Sequence, residues 1–187
     1  MEDILSMQKT EANTQFFKFI KNNYKNWING ENSPLLSHNL VRKKVIPLME
    51  DRIPTYLIII DNLRYDQWKI IEPIIIKDFD VVKDEMYYSI LPTSTQYSRN
   101  TIFAGLLPSE IQKKFPDKWK NDEDEGGKNM FEEDFFSDQL QRLGKGDAKH
   151  SYTKITNIDF SKNSYLVTKE NLLKKMINKM NFGSNKN

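Results

Sequence analysis

The stretch Tyr56-Leu57-Ile58-Ile59-Ile60-Asp61 decides the predicted fold, because it places five consecutive apolar residues directly before a carboxylate. A continuous apolar run of this length is typical of a strand that is buried on both faces in a parallel sheet. In open α/β sheets, ligands bind outside the carboxyl ends of the strands, and Asp61 is expected at that edge. The stretch therefore predicts a buried strand and a candidate functional residue together.

The segments that follow alternate between helical and extended patterns. Residues 64–79 carry apolar side chains at helical spacing, and residues 81–91 are interpreted as a second strand that ends at Pro92. Residues 95–104 then indicate a short helix, which Gly105 closes. This order predicts an α/β domain with a partial, doubly wound, mostly parallel sheet of the alkaline phosphatase-like kind.

The residues before this domain are predicted to be helical. Residues 1–13 are polar and expected to fray. One amphipathic helix is predicted to stop at Asn29-Gly30, and a second is predicted to start at Ser37 as its N-cap. The sequence is therefore divided into a small helical linker at residues 1–50 and the α/β domain at residues 51–187.

The second half of the chain contains an irregular, charged segment between further elements. Residues 121–127 are strongly acidic and predict a solvated loop, because they lack the ligand spacing of a calcium-binding EF-hand. A helix is predicted over residues 131–143, a strand over residues 151–155 and a last helix over residues 172–180.

Composition narrows the classes of function. The formal net charge of +2 gives no sign of a strong nucleic-acid surface. No apolar stretch approaches the roughly 18 residues of a membrane span, and the first ten residues lack a signal-peptide core, so a cytoplasmic location without membrane insertion is expected. With 2 histidines and no cysteine, the chain has too few neutral ligands for a histidine-rich binuclear zinc site.

Two segments carry residue types that suit phosphoryl chemistry. Asp61 is interpreted as a metal ligand, a helix N-cap or a phosphoryl-accepting nucleophile. In Leu91-Pro92-Thr93-Ser94-Thr95-Gln96-Tyr97-Ser98-Arg99-Asn100, a hydroxyl-rich turn opens a helix, and the positive end of a helix dipole favours an anion. A threonine in this position is either a nucleophile activated by a metal or part of an ordinary Ser/Thr N-cap.

Together the two segments resemble the alkaline phosphatase superfamily, in which the first strand ends in a zinc-binding aspartate and a Ser or Thr nucleophile opens a later helix. The resemblance is closest to the PglZ domain of PorX-type response regulators and covers about residues 13–180. Its most specific parts are Ile59-Ile60-Asp61-Asn62-Leu63-Arg64-Tyr65-Asp66-Gln67-Trp68 and Leu91 to Asn100. Phe103-Ala104-Gly105-Leu106-Leu107-Pro108, Phe115-Pro116-Asp117-Lys118-Trp119 and the acidic loop before Gly127-Lys128-Asn129 are also similar to that group.

This resemblance implies a cytoplasmic regulator of two-component signalling, linked to type IX secretion, whose PglZ domain binds zinc and cleaves phosphodiesters. Carried over, Asp61 is a zinc ligand, and Thr95 is both a zinc ligand and the nucleophile. Arg64 and Asn100 lie near enough in sequence to contact substrate phosphate, with helix packing or surface exposure as the open alternative. The expected partners are a phosphodiester substrate and either regulatory proteins or a second copy of the chain.

The sequence also departs from that group. The 187 residues are expected to lack the receiver domain of that group and its later Asp and His ligands, which are expected beyond about residue 181, so an incomplete zinc site is predicted. The α/β segment is accordingly interpreted as the N-terminal half of a PglZ domain. Two hypotheses stay open: a zinc-dependent phosphodiesterase, and a catalytically inactive truncated fragment or protein-interaction module.

Overall fold

A computed structural model describes residues 2–51 and 53–154. The α-helices in this part of the chain are α1 (Glu2–Ile28), α2 (Tyr65–Ile75), α3 (Asn100–Ala104), α4 (Pro108–Lys114) and α5 (Glu132–Arg142). Shorter 3₁₀ turns lie at Ser37–Asn39 and Ile46–Leu48, and π turns lie at Val41–Val45 and Thr95–Arg99. The chain divides into two units: a first unit of Met1–Lys44 with Met86–Phe136, and a second of Val45–Glu85 with Ser137–Asn187.

The predicted α/β fold with a doubly wound parallel sheet is wrong, because the described residues form helices and no sheet. Their only β pairs are two isolated bridges, a parallel one between Leu36 and Tyr88 and an antiparallel one between Glu50 and Ile53. In the apolar run at residues 56–60, the side chain of Ile58 is 39% exposed and that of Ile60 is 44% exposed, rather than buried on both faces. Branched apolar residues favour extended backbone locally, whereas a sheet also needs neighbouring strands in register, which the run itself does not encode.

The helix predictions at the start of the chain are partly confirmed. α1 ends at Ile28 as predicted, beside Gly30, whose φ of 85° is readily adopted only by glycine. The prediction that residues 1–13 fray is wrong, because α1 begins at Glu2. The second predicted helix is replaced by short 3₁₀ and π turns, consistent with Pro47, which has no N–H for a continuous helix. Ser37 is not the N-cap but lies inside the first of these turns.

The later helices agree with the sequence pattern. α2 lies within the helix predicted over residues 64–79, and α5 lies within that predicted over residues 131–143. A left-handed glycine follows each of two helical segments as predicted: Gly105 has φ 60° and Gly144 has φ 71°. Residues 151–154 are not in a strand, and the helix predicted over residues 172–180 lies outside the described residues.

The first unit has an aromatic and aliphatic core between α1 and the segment that leads to Thr95. Trp27, Leu36 and Ile90 are buried together, and Ile20, Tyr24, Tyr88 and Leu107 pack against them. The ring of Tyr88 lies 5.0 Å from that of Trp27, centroid to centroid. The backbone is fixed at the same place, because Tyr88 N–H donates to the Leu35 carbonyl at 2.9 Å and Ile90 N–H donates to Ser37 Oγ at 3.0 Å. Residues 88–90 are therefore held in position a few residues before Thr95.

Exposed polar contacts surround α2 in the second unit. Lys69 Nζ lies 2.8 Å from Glu72 Oε2 and 3.1 Å from Asp84 Oδ2. None of the residues of α2 is buried. In the described part of the chain, no helix is both long and apolar enough to cross a membrane.

Candidate functional site

Thr95 is the first residue of the π turn Thr95–Arg99, which continues directly into α3 and confirms the short helix predicted over residues 95–104. Ser94 before it is extended, with φ −71° and ψ 156°, and its side chain makes no capping hydrogen bond. The N–H groups of Tyr97 and Ser98 donate to the Ser94 carbonyl at 3.1 and 2.9 Å. Thr95 is half-buried, and its hydroxyl makes no hydrogen bond within residues 2–51 and 53–154.

The acidic loop contacts the turn that Thr95 begins. Asp122 accepts a hydrogen bond from Gln96 Nε2 and another from the Tyr97 hydroxyl, the latter at 3.3 Å. The prediction that residues 121–127 are a solvated loop agrees with their exposure. It missed the inward contact of Asp122, because no periodicity or motif in the loop distinguishes this carboxylate from its neighbours.

A buried ion pair lies at the other end of the turn. Both Nε and Nη2 of Arg99 donate to the carboxylate of Glu132, whose side chain is only 1% exposed. Asn129 Nδ2 donates to Glu132 Oε1 at 3.1 Å. Because an unpaired buried charge is costly, the bidentate pair ties the turn to the start of α5. Sequence reasoning did not single out Glu132, which reads as an ordinary acidic residue in the first turn of a helix.

Asn100 is buried beneath this turn. Its Nδ2 donates to the Lys128 carbonyl at 3.0 Å, whereas its Oδ1 is buried and accepts no hydrogen bond within the described residues. Asn100 therefore joins α3 to Lys128, which directly follows the loop that carries Asp122, and its unsatisfied Oδ1 is an acceptor.

Asp61 and Arg64 lie before α2, in the second unit. Asp61 is exposed and begins a turn in which Asn62 has φ 61°, whereas the N-cap of α2 is Arg64, so Asp61 does not occupy the N-cap position. The Arg64 guanidinium donates to Asp66 Oδ1 at 3.0 Å and to Asp66 Oδ2 at 2.8 Å. This pairing raises the pKa of Arg64 and lowers the pKa of Asp66 below its ordinary range. Thr95 and Asn100 thus lie on one continuous helical segment of the first unit, and Asp61 and Arg64 both lie just before α2 in the second unit.

The family of the chain follows from its similarity to known protein families. The profile of the BREX system PglZ alkaline phosphatase-like domain matches residues 40–186. The chain belongs to the PglZ family. The PorX response regulator linker domain matches residues 1–28, the segment that forms α1, so the resemblance to PorX-type PglZ proteins is confirmed. No curated protein matches the chain.

The PglZ match covers all four predicted site residues: Asp61, Arg64, Thr95 and Asn100. The segment that matches the PorX linker forms α1, and this helix contacts the segment before Thr95. The hydroxyl of Tyr24, in α1, accepts a hydrogen bond from Leu91 N–H at 2.7 Å. The linker helix of this PglZ protein therefore contacts the backbone four residues before Thr95.

Alkaline phosphatase-like domains are generally metal-dependent, but the described residues of this PglZ chain lack a matching ligand set. They contain no group of three or more His, Cys, Asp or Glu side chains that could hold a metal ion. Structural zinc sites use four ligands and catalytic ones three, so the described residues do not fit a complete zinc site.

Proposed function

We propose that this PglZ chain takes part in phosphodiester hydrolysis with Thr95 as the nucleophile. The observation that carries the proposal is the environment of Thr95: its hydroxyl makes no hydrogen bond within the described residues, whereas Gln96, Tyr97 and Arg99 of the same turn are each anchored through their side chains. A nucleophile held in position with an available oxygen meets the requirement for attack at low entropic cost.

The proposed reaction proceeds by two displacements at phosphorus. Thr95 Oγ forms a bond to phosphorus while the bond to the leaving alkoxide breaks, and the hydroxyl proton is released, so that an alcohol leaves and a phosphodiester to Thr95 remains. Water then attacks the same phosphorus, which returns the threonine hydroxyl and releases a phosphate monoester. The resident groups of the turn keep the oxygen oriented through both steps.

Arg64 and Asn100 are proposed as contacts of the substrate phosphate, and the structure supports the two unequally. The guanidinium of Arg64 is exposed and bonded to the similarly exposed Asp66, a pair that contributes little to stability and can exchange for a phosphate. Asn100 is buried, and the atom it leaves unsatisfied is an acceptor that an anion would repel. Arg64 is therefore the better supported contact.

Zinc is the metal that the resemblance implies, and Asp61 and Thr95 are the ligands we propose for it. Since the described residues do not fit a complete site, no step of the reaction is assigned to the metal. We further propose, on the resemblance to PorX-type proteins, a cytoplasmic role in two-component signalling linked to type IX secretion, in line with the PorX linker match at residues 1–28.

The test is hydrolysis of a chromogenic phosphodiester, with zinc added, by the purified chain and by Thr95→Ala. We expect the substitution to lower the rate by about 10³-fold or more, as removal of a nucleophile does. Thr93→Ala is the matched control, because Thr93 is an exposed threonine of the same segment. Mass spectrometry of acid-quenched reactions should find, on the peptide that contains Thr95, the phosphate with the one ester group of the substrate that has not left. Equal rates in Thr95→Ala and the unmodified chain would reject the role of Thr95.

A non-catalytic interaction module is the second candidate function, and exposed apolar side chains on α1 favour it. Ile4, Leu5 and Met7 are all more than half exposed, and so are Phe16 and Phe17. Patches of this kind mark interaction sites in soluble proteins. Light scattering of the purified chain at increasing concentration tests for self-association, and an unchanged monomer mass would argue against pairing through α1.

A further inference from the structure

The acidic loop at residues 121–127 is in contact with the backbone that carries Thr95. The Asp122 carboxylate accepts from Gln96 Nε2 through one oxygen and from the Tyr97 hydroxyl through the other, at 3.3 Å. Gln96 is buried, with 4% of its surface exposed, and it directly follows Thr95. One carboxylate thus holds two consecutive residues of the turn.

The loop is itself braced, so Asp122 is presented from a fixed position. The Trp119 ring packs edge-on against Tyr97 at 5.8 Å between centroids, and its Nε1 donates to Asn121 Oδ1 at 3.1 Å. The ammonium of Lys128 donates to the carbonyl oxygens of Asn121 and Asp124, on either side of Asp122. Contacts on both sides of Asp122 therefore limit the movement of its backbone.

The two glutamates of the loop differ from Asp122, whereas Asp124 Oδ2 accepts from Asn121 N–H at 2.6 Å. Glu123 and Glu125 are exposed, and their side chains make no hydrogen bond within the described residues. If the loop were only a solvated insertion, Asp122 and Glu123 would be interchangeable for the turn. The contacts of Asp122 instead distinguish it from an otherwise similar neighbour.

We propose that Asp122 is a positioning residue that fixes the turn from which Thr95 acts. This inference rests on the proposed function of Thr95. Asp122 acts through Gln96 and Tyr97 rather than on the substrate, so its loss should lower kcat and leave KM nearly unchanged. The orientation of Thr95 Oγ is the quantity that it controls.

Four variants of the full 187-residue chain test the proposal. Asp122→Ala removes the acceptor, and Glu123→Ala is the matched control. Gln96→Glu places two carboxylates against each other. The double variant Gln96→Glu with Asp122→Asn restores a hydrogen bond with donor and acceptor exchanged. Recovery in the double variant separates loss of this contact from the general effects of the Gln96→Glu substitution.

The first readout is amide hydrogen exchange of peptides that cover residues 93–104, and the second is Thr95-dependent phosphodiester hydrolysis. Loss of the contact should speed exchange by about tenfold and lower kcat by about tenfold in Asp122→Ala and Gln96→Glu, as expected for one hydrogen bond to a charged group. Glu123→Ala should match the unmodified chain in both readouts, and the double variant should recover most of the loss.

Unchanged exchange in Asp122→Ala, or equal effects of Asp122→Ala and Glu123→Ala, would overturn the proposal. The two proposals fail separately, because absence of any Thr95-dependent hydrolysis rejects the proposed function alone. In that case, faster exchange in Asp122→Ala still supports the role of Asp122 in holding the turn, and unchanged exchange rejects it.

Discussion

Glu132 is a charged residue whose side chain is almost completely buried in the first unit. Its carboxylate is 1% exposed and bonded to Arg99, which is 15% exposed. Removing one partner of such a pair leaves a charge that water does not solvate. We expect Glu132→Gln to lower the free energy of unfolding by about 3 kcal/mol, measured by urea denaturation.

Asp134 provides the matched control for that measurement, because it lies on the same helix and pairs with Lys118 at 2.7 Å in a much more exposed setting. Exposed pairs contribute little, so Asp134→Asn should cost less than about 1 kcal/mol. Similar losses for the two substitutions would show that burial of the Arg99 pair is not what matters.

His38 makes the stability of the chain depend on pH. Burial lowers the pKa of its imidazole below the ordinary 6.5, while the Glu110 carboxylate raises it and Lys43 lowers it further, each by a smaller amount. In the unfolded chain the imidazole accepts a proton near pH 6.5, which the folded protein resists. The contribution of His38 is therefore present above that pH and is lost as the pH falls through the folded pKa.

Urea midpoints measured from about pH 7.5 to about pH 5.5 test this dependence on the His38 imidazole. The unmodified chain should lose more stability over that interval than His38→Asn, because the variant has no imidazole to protonate. Parallel pH profiles for the two proteins would contradict the assignment.

At the scale of elements, α1 is stabilised by its C-terminal half. Trp27 is 7% exposed and packs against Tyr88 and Phe19, whereas Phe17 of the same helix is 65% exposed. Trp27→Ala should therefore lower the free energy of unfolding by about 3–5 kcal/mol. Phe17→Ala is the control, and its cost should stay within about 0.5 kcal/mol of zero. Equal costs in thermal or urea unfolding would mean that α1 does not dock through Trp27.

The elements that the sequence predicts well are those specified by their own residues. The ends of α1 and α5 follow from apolar spacing and from Gly30 and Gly144, which act locally. The sheet was predicted wrongly because pairing between strands depends on segments far apart in the chain. Thr95 is predicted from the residues of its own segment. Asp122 and Glu132 hold its turn from 25 or more residues away, and no local pattern predicts their contacts.

At the scale of the whole molecule, the described residues of the two units differ in how many apolar side chains they bury. Among the described residues, the buried apolar side chains belong to the first unit, except Leu140. Hydrophobic burial is the main stabilising contribution in folding, so the second unit should open first. Unfolding of this chain is then not a single two-state transition.

The 3 tryptophans allow that expectation to be measured, because Trp27 and Trp119 belong to the first unit and Trp68 to the second. A Trp27→Phe/Trp119→Phe variant reports the second unit through Trp68, and a Trp27→Phe/Trp68→Phe variant reports the first through Trp119. Fluorescence of Trp68 should change at a lower urea concentration than that of Trp119. Coincident transitions would show that the units unfold together.

The exposed apolar run at residues 56–60 has a consequence for the behaviour of the protein in concentrated solution. Short segments of β-branched and aromatic residues without charge or proline are those that stack between copies into fibrils. Ile58, Ile59 and Ile60 form such a segment together with Tyr56 and Leu57, and three of these five side chains are more than a third exposed. Concentrated samples should therefore bind thioflavin T progressively, with a lag that seeds from aged samples shorten.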